Sequence, residues 1–378
     1  MTPIVSEKSD LVVRPIQFRD LDIVERLLTE SLAAEGGDRA VDISRPLEQM
    51  RQWYLPLKLL SLVPNQLQSL TRIYVAEQDN QVLGLIQVAP FNCTRSTWRI
   101  EYVTPAIGTQ LLRHCFESIW EARTWLLEVN VNHAEALSLY RQNGFQPLAQ
   151  MTYWAIAPEQ LANLAQREPD LPNLLPVSNA DAGLIYQLDT AAMPPLVRQV
   201  FDRHIHDFKT GLLPKVVLGL RQWLGRTDLV SGYVFEPQRK AAIAYYKIRL
   251  CRDGSHSHLA DLTVHPAYTW LYPEVLNQIA RLTQAFPAAA LHVTSADYQP
   301  EREACLEQSG AERIEHTLMM SRSVWHKVRE SRNLSLEGLQ LSEVLQGFQP
   351  NRKPVPGRMT LLRQDVDLPP PDHDPTPG

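Results

Sequence analysis

The feature that most restricts the fold is an internal repeat. Leu11–Leu32 reads LVVRPIQFRDLDIVERLLTESL, a β-branched run followed by apolar residues at Leu21, Val24, Leu27, Leu28 and Leu32, close to helical spacing. The phrase returns at Leu174–Leu188 as LLPVSNADAGLIYQL, with Pro176 answering Pro15 and Asp181 answering Asp20, both 161 residues on. Asp20 is placed to cap the first helix, its carboxylate accepting first-turn amides. Val103-Thr104-Pro105 and Val264-His265-Pro266 keep the same 161-residue separation, whereas Gly144 and Gly310 lie 166 apart. Two copies of one unit therefore stand in tandem, the first shorter by about five residues between its V-x-P and its glycine.

The chain has 378 residues and 44% hydrophobic content, enough to fill two cores. We assign residues 10–165 to the first domain, 166–173 to a polar, Pro-bearing linker, 174–326 to the second domain and 327–378 to a tail. Alternation predicts strands at Ile73–Glu77 and Val82–Val88, joined by a polar turn, and at Thr97–Val103, with a helix from about Ala106. The second copy repeats this order at Gly232–Phe235, Ala241–Leu250 and His258–Val264. In the tail, residues 334–348 read as a short amphipathic helix that packs on its own domain or docks a protein partner, before a Pro-rich disordered end.

Trp125–Phe145 is the segment with chemistry in it: a β-rich run, an Asn, then a helix with Tyr140 four residues before Gly144-Phe145. Leu127, Val129, Ala136, Leu139, Tyr140, Gly144 and Phe145 stand at the spacing of the acetyl-CoA-facing half of the GNAT N-acetyltransferase superfamily, which this segment resembles. The family's Asn position falls on His133, with Asn132 one residue early. The resemblance implies an α/β (α+β) architecture of two tandem GNAT-like domains, each a mixed, mostly antiparallel sheet flanked by helices. It also implies acetyl-CoA as co-substrate, lying between two splayed strands, and direct attack by a primary amine on the thioester.

The same resemblance distributes the roles. Tyr140 would be the general acid for the departing thiolate. Val103, Ile107, Gly108, Thr109, Asn132, Ala136 and Tyr140 would contact the cofactor. The family grips the pyrophosphate with a Gly-rich turn running into a helix N-terminus. Here Pro105 is followed at once by Ala106-Ile107-Gly108-Thr109, with Gly108 matching and the family's Arg missing. In the second copy that Arg position is Thr269, the glycine positions are Tyr272 and Glu274, and Leu306 replaces Tyr140, so no catalysis is expected there. For the base, Glu101 is the first choice, on the face of Arg99 and Val103 by alternation, and Glu128 the second.

Composition removes other classes. A net charge of −5 and a pI near 6.1 give no basic stripe for nucleic acid. Four scattered cysteines, no apolar run of membrane-spanning length and no basic leader read as a cytoplasmic protein. His204/His206 and His256/His258 lack a third ligand at motif spacing, so they read as surface histidines and no metal is expected. The apolar stretches at 53–64 and 212–218 read as helices packed between the domains, or else as a hydrophobic acceptor pocket or membrane-facing patch. The competing reading is a catalytically inactive GNAT-derived scaffold that binds through its inter-domain surface and tail.

Overall fold

The computed structural model describes residues 11–27 (except 21 and 25), 71–209 (except 80) and 227–324. All of them belong to one compact unit, Met1–Lys327. The apolar stretches at 53–64 and 212–218 and the helix expected at 334–348 lie outside the described residues.

Twelve described strands form one sheet. The first repeat supplies β1 (Val12–Pro15), β2 (Arg72–Gln78), β3 (Gln81–Pro90), β4 (Thr97–Val103), β5 (Thr124–Asn130) and β6 (Gln146–Ile156). The second supplies β7 (Leu174–Pro176), β8 (Thr227–Glu236), β9 (Ala241–Cys251), β10 (His258–Val264), β11 (Leu291–Ala296) and β12 (Glu312–Ser323). Helices α1 (Gly108–Ser118) and α2 (Ala134–Gln142) flank the first half and α3 (Pro158–Ala165) follows β6. The second repeat adds α4 (Ala182–Ala192), α5 (Pro195–Phe201), α6 (Leu271–Thr283) and α7 (Pro300–Gln308).

The order across the sheet is β1-β2-β3-β4-β5-β12-β6-β11-β10-β9-β8-β7. Read from either edge, five strands of one repeat are followed by the last strand of the other. The repeats have thus exchanged their final strands: β12 pairs β5 antiparallel from Thr317↔Asn130 to Ser323↔Thr124, and β6 pairs β11 from Leu291↔Ile156 to Ala296↔Met151. The two exchanged strands also pair with each other, joining the halves. Spatially, then, the sheet runs across the boundaries drawn at residues 165 and 174.

Burial follows the exchange. Met320 of β12 joins the first core, with Trp98, Leu111, Leu112, Trp125 and Phe145, while Trp154 and Ile156 of β6 join the second, with Leu271, Val275 and Ile279. Trp98, Trp125 and Trp154 are fully buried, and indoles of this size dominate core energetics. Arg322 of β12 reaches back over the Phe116 ring at 4.2 Å and donates to the Asn143 carbonyl at the end of α2. A cation there suits the negative end of the helix.

Asp20 closes a 3₁₀ turn, Phe18–Asp20, just before the helical residues 22–24, accepting from Gln17 N–H at 2.8 Å and from Arg14 at 2.6 and 2.9 Å. Buried beside that guanidinium, its carboxyl is held below the usual range. His258 is no surface residue. It is fully buried on β10, its Nδ1 accepting the Cys251 N–H at 3.0 Å, because alternation turns it into the core. His204 and His206 are exposed, as expected, at a 3₁₀ turn with rings stacked at 5.0 Å. Finally, the shortening of the first repeat is not confined to the turn. Helix α1 begins three residues after Pro105 where α6 begins five after Pro266, and α1 has 11 residues against 13.

Candidate functional site

Strands β4 and β5 run parallel, yet they pair over only three positions, Thr97↔Thr124, Trp98↔Trp125 and Arg99↔Leu126. Beyond Arg99 and Leu126 the two strands part, and the β5-facing edge of β4 from Ile100 to Val103 has no ladder partner among the described residues. Its register with β3 jumps from Val88↔Ile100 to Gln87↔Tyr102, leaving Glu101 as an extra, bulged residue. A bulge bends a strand and re-aims its side chains, the geometry needed to open a slot in a sheet. Strands β10 and β11 also pair over only three positions, but β10 keeps an unbroken register with β9 from Leu259↔Arg249 to Val264↔Ala244. Among the described residues, β10 has no counterpart of the bulge in β4.

Below the slot, β4 passes through Thr104 and a 3₁₀ turn, Pro105–Ile107, into α1. The turn is pinned to β3: Thr104 N–H donates to the Leu85 carbonyl at 3.0 Å and Leu85 N–H to Thr104 Oγ1 at 3.1 Å. A Cβ on Gly84 would meet Ile107 Cδ1 and Thr104 Cβ at 2.8 Å, so the glycine is required for this approach. Gly108, at the first position of α1, has helical φ of −59° and needs no left-handed freedom. It is glycine because Leu139 of α2 packs on it, with a built Cβ 2.4 Å from Leu139 Cδ2. Thr109 Oγ1 accepts from Asn143 Nδ2 at 3.0 Å. Helix α2 therefore lies directly on the start of α1.

Val103, Ala136 and Tyr140 are buried in the first core and Ile107 packs against it, so these candidate cofactor residues meet around one junction with Gly108. Tyr140 is 8% exposed, its ring edge-on to Phe145 at 5.8 Å. Asn132 is exposed, and the N-cap of α2 is His133, without a side-chain cap. The turn is closed instead by Asn130, whose Oδ1 accepts the Asn132 N–H at 2.9 Å and whose Nδ2 donates to Glu315 of β12 at 2.9 Å. Sequence reading passed over Asn130 because it looked like the last residue of a strand.

Glu101 lies on the opposite face of the sheet. Its Oε1 accepts from Arg99 at 2.9 Å and its Oε2 from Gln87 Nε2 at 2.5 Å. Glu128 occupies the same face as Leu126, which packs with α5. Its Oε1 accepts from the Tyr153 hydroxyl of β6 at 2.7 Å and from the Thr317 hydroxyl of β12, so the exchanged strands hold it. Among the described residues no group of three His, Cys, Asp or Glu is arranged to hold a metal ion.

In the second repeat the corresponding slot is filled. Arg302 stands where Ala136 stands in the first, by the 166-residue offset that relates the two glycines. Its buried Nη1 donates to the Thr294 carbonyl of β11, one residue past the last β10 pair, at 2.9 Å, and to Gln299 Oε1 at 2.8 Å. Burial pulls the guanidinium pKa down. Among the described residues no helix is long and apolar enough to cross a membrane.

Residues 69–147, which contain β2–β5, α1 and α2, match the family model described as an acetyltransferase (GNAT) domain. No curated protein matches the chain. Among solved structures, it is similar to a tandem GNAT protein from the clavulanic acid biosynthesis pathway, with a TM-score of 0.53 and 14% identity, covering 84% of this chain and 100% of that one. It is also similar to a GCN5-related N-acetyltransferase from Sphaerobacter thermophilus, with a TM-score of 0.51 and 12% identity, covering 84% of this chain and 97% of that one.

Proposed function

On the premise that this chain has a tandem GNAT fold with a GNAT acetyltransferase domain in its first repeat, we propose that it transfers an acetyl group from acetyl-CoA to a primary amine. The observation that carries the reading is the early end of β4–β5 pairing combined with the bulge at Glu101. Backbone amides and carbonyls are obligatory hydrogen-bonding groups, and an extended polar chain such as pantetheine satisfies an open strand edge as another strand would. Val103, Ile107 and Ala136 line its apolar side, Asn132 contacts it at the rim, and the first-turn amides of Gly108 and Thr109 with the positive end of α1 favour the phosphates.

The amine nitrogen attacks the thioester carbonyl carbon, the carbon–sulfur bond breaks, and two protons must move. Glu101, or a water it holds, takes the proton from the ammonium. The Tyr140 hydroxyl supplies a proton to the departing thiolate and recovers one from the acetylated nitrogen, which sheds its second proton as it becomes an amide. The second repeat, with Arg302 at its slot and no bulge between β9 and β10, contributes a wall of the acceptor site rather than a second reaction centre.

A second reading, a GNAT-fold binding protein without turnover that engages a partner through its inter-domain surface and residues 334–348, is favoured by one observation. Leu139 covers the first residue of α1, where phosphates would be held. Incubation with acetyl-CoA and a panel of primary amines, following free thiol, separates the two. Amine-dependent thiol release supports transfer; acetyl-CoA binding with no release at any amine favours the second reading. A cytoplasmic site of action goes with either.

A further inference from the structure

Gln87 sits in the middle of β3, 1% exposed, on the face it shares with Ile73, Leu85 and Tyr102. Its amide orientation is fixed by chemistry. The neighbour at 2.5 Å is a Glu101 carboxylate oxygen, which as an anion only accepts, so the atom facing it must be Nε2. The other end, Oε1, is buried and has no hydrogen-bond partner among the described residues. A buried amide oxygen without a donor is uncommon in folded proteins and calls for a reason. Here it lies beside the bulge and beside the carboxylate assigned to take the amine's proton.

We infer that Gln87 is a positioning residue for the acceptor: its unpartnered Oε1 and the Glu101 carboxylate together receive N–H groups of a primary ammonium. An ammonium has three donors and a positive charge, and one carboxylate satisfies neither its geometry nor its donor count. Two acceptors held by one hydrogen bond fix the direction of the nitrogen before it loses a proton. The Gln87 Nε2 donor also keeps the Glu101 carboxylate from rotating away. This inference rests on the amine-acetylation reading and adds to it the residue that orients the amine.

The test uses the full chain and calorimetric titration with propylamine and 1,5-diaminopentane, in parallel with acetyl-CoA. Gln87→Leu removes the oxygen and should weaken amine binding by roughly tenfold or more, the value of a hydrogen bond to a charged group, while acetyl-CoA affinity is unchanged. Gln87→Glu keeps an oxygen at the same point, shares one proton with Glu101, and should bind amine at least as well as the wild type. A purely structural role would not send the two variants in opposite directions. Equal amine affinity in Gln87→Leu, or parallel loss of acetyl-CoA binding, overturns the inference, as does absence of amine binding by the wild type. Failure of acetyl-CoA to bind the wild type is the separate failure of the reading beneath it.

Discussion

Replacing Gly108 with Ala distinguishes a packing glycine from a cofactor glycine. The backbone there is helical, so Ala meets no conformational penalty and gains up to about 1 kcal/mol of helix propensity. Against this stands a methyl group 2.4 Å from Leu139 Cδ2, 3.1 Å from Cδ1 and 3.3 Å from Cγ. The whole fork of the leucine is in the way, and Leu139 is itself buried in the first core, so it has little room to turn. Overpacking of this kind costs about 1–3 kcal/mol, leaving a net loss of up to about 2 kcal/mol once the full propensity gain is set against it. The assay is chemical denaturation of the purified chain, with the single variants Gly108→Ala and Leu139→Ala and the double. Leu139→Ala alone should cost about 2–5 kcal/mol, and the double should cost less than the two losses together by about 1–2 kcal/mol, since the new methyl fills part of the space. Strict additivity, or a stable Gly108→Ala protein that has lost only acetyl-CoA affinity, would refute the packing account of this residue.

Tyr140→Phe should lower the rate of acetyl transfer by roughly a hundredfold with acetyl-CoA affinity nearly unchanged, measured by steady-state kinetics and calorimetry; lost binding with an intact rate contradicts its role as acid. His258 is buried and neutral, its pKa pulled below the ordinary value chiefly by desolvation. The unfolded chain therefore takes up the proton first. The stability this group contributes is complete above about pH 6.5 and falls as pH drops from there toward the folded-state pKa, by up to about 1.4 kcal/mol per pH unit. Denaturation midpoints from pH 8 to 5 should show a steeper acid loss in wild type than in His258→Gln; equal slopes would contradict it. A fragment ending at residue 165 lacks β12, so it exposes the β5 edge and loses Met320 from the first core. It should fail to give a cooperative monomeric unfolding transition, and one that unfolds cooperatively as a monomer would show that the exchange is dispensable.

The repeat was legible because Pro15, Asp20 and the V-x-P triplets recur at a fixed interval, and the central strands because apolar residues alternate at Ile73–Glu77 and Val82–Val88. The exchange of β6 and β12 was not. Alternation in Gln146–Ile156 says that one face is buried, but either repeat offers an antiparallel partner with the same pattern. The choice is made by side chains far apart in sequence, such as Tyr153 and Thr317 meeting Glu128. Glu101 was singled out, yet Gln87 was passed over as an ordinary strand residue, because its contact with Glu101 depends on a one-residue bulge that no periodicity reveals. Gly108 was matched to a phosphate-binding position by spacing alone, while its neighbour Leu139 appears only in three dimensions. His258 misled for the same reason: residue type suggested the surface, and burial gave it a structural partner instead.

The central claim is that the first repeat, and only the first, binds acetyl-CoA. Calorimetric titration of the full chain with acetyl-CoA tests it most directly. One saturable site per chain is expected, untouched by Arg302→Met. Two sites per chain, or no binding at millimolar acetyl-CoA, would contradict it.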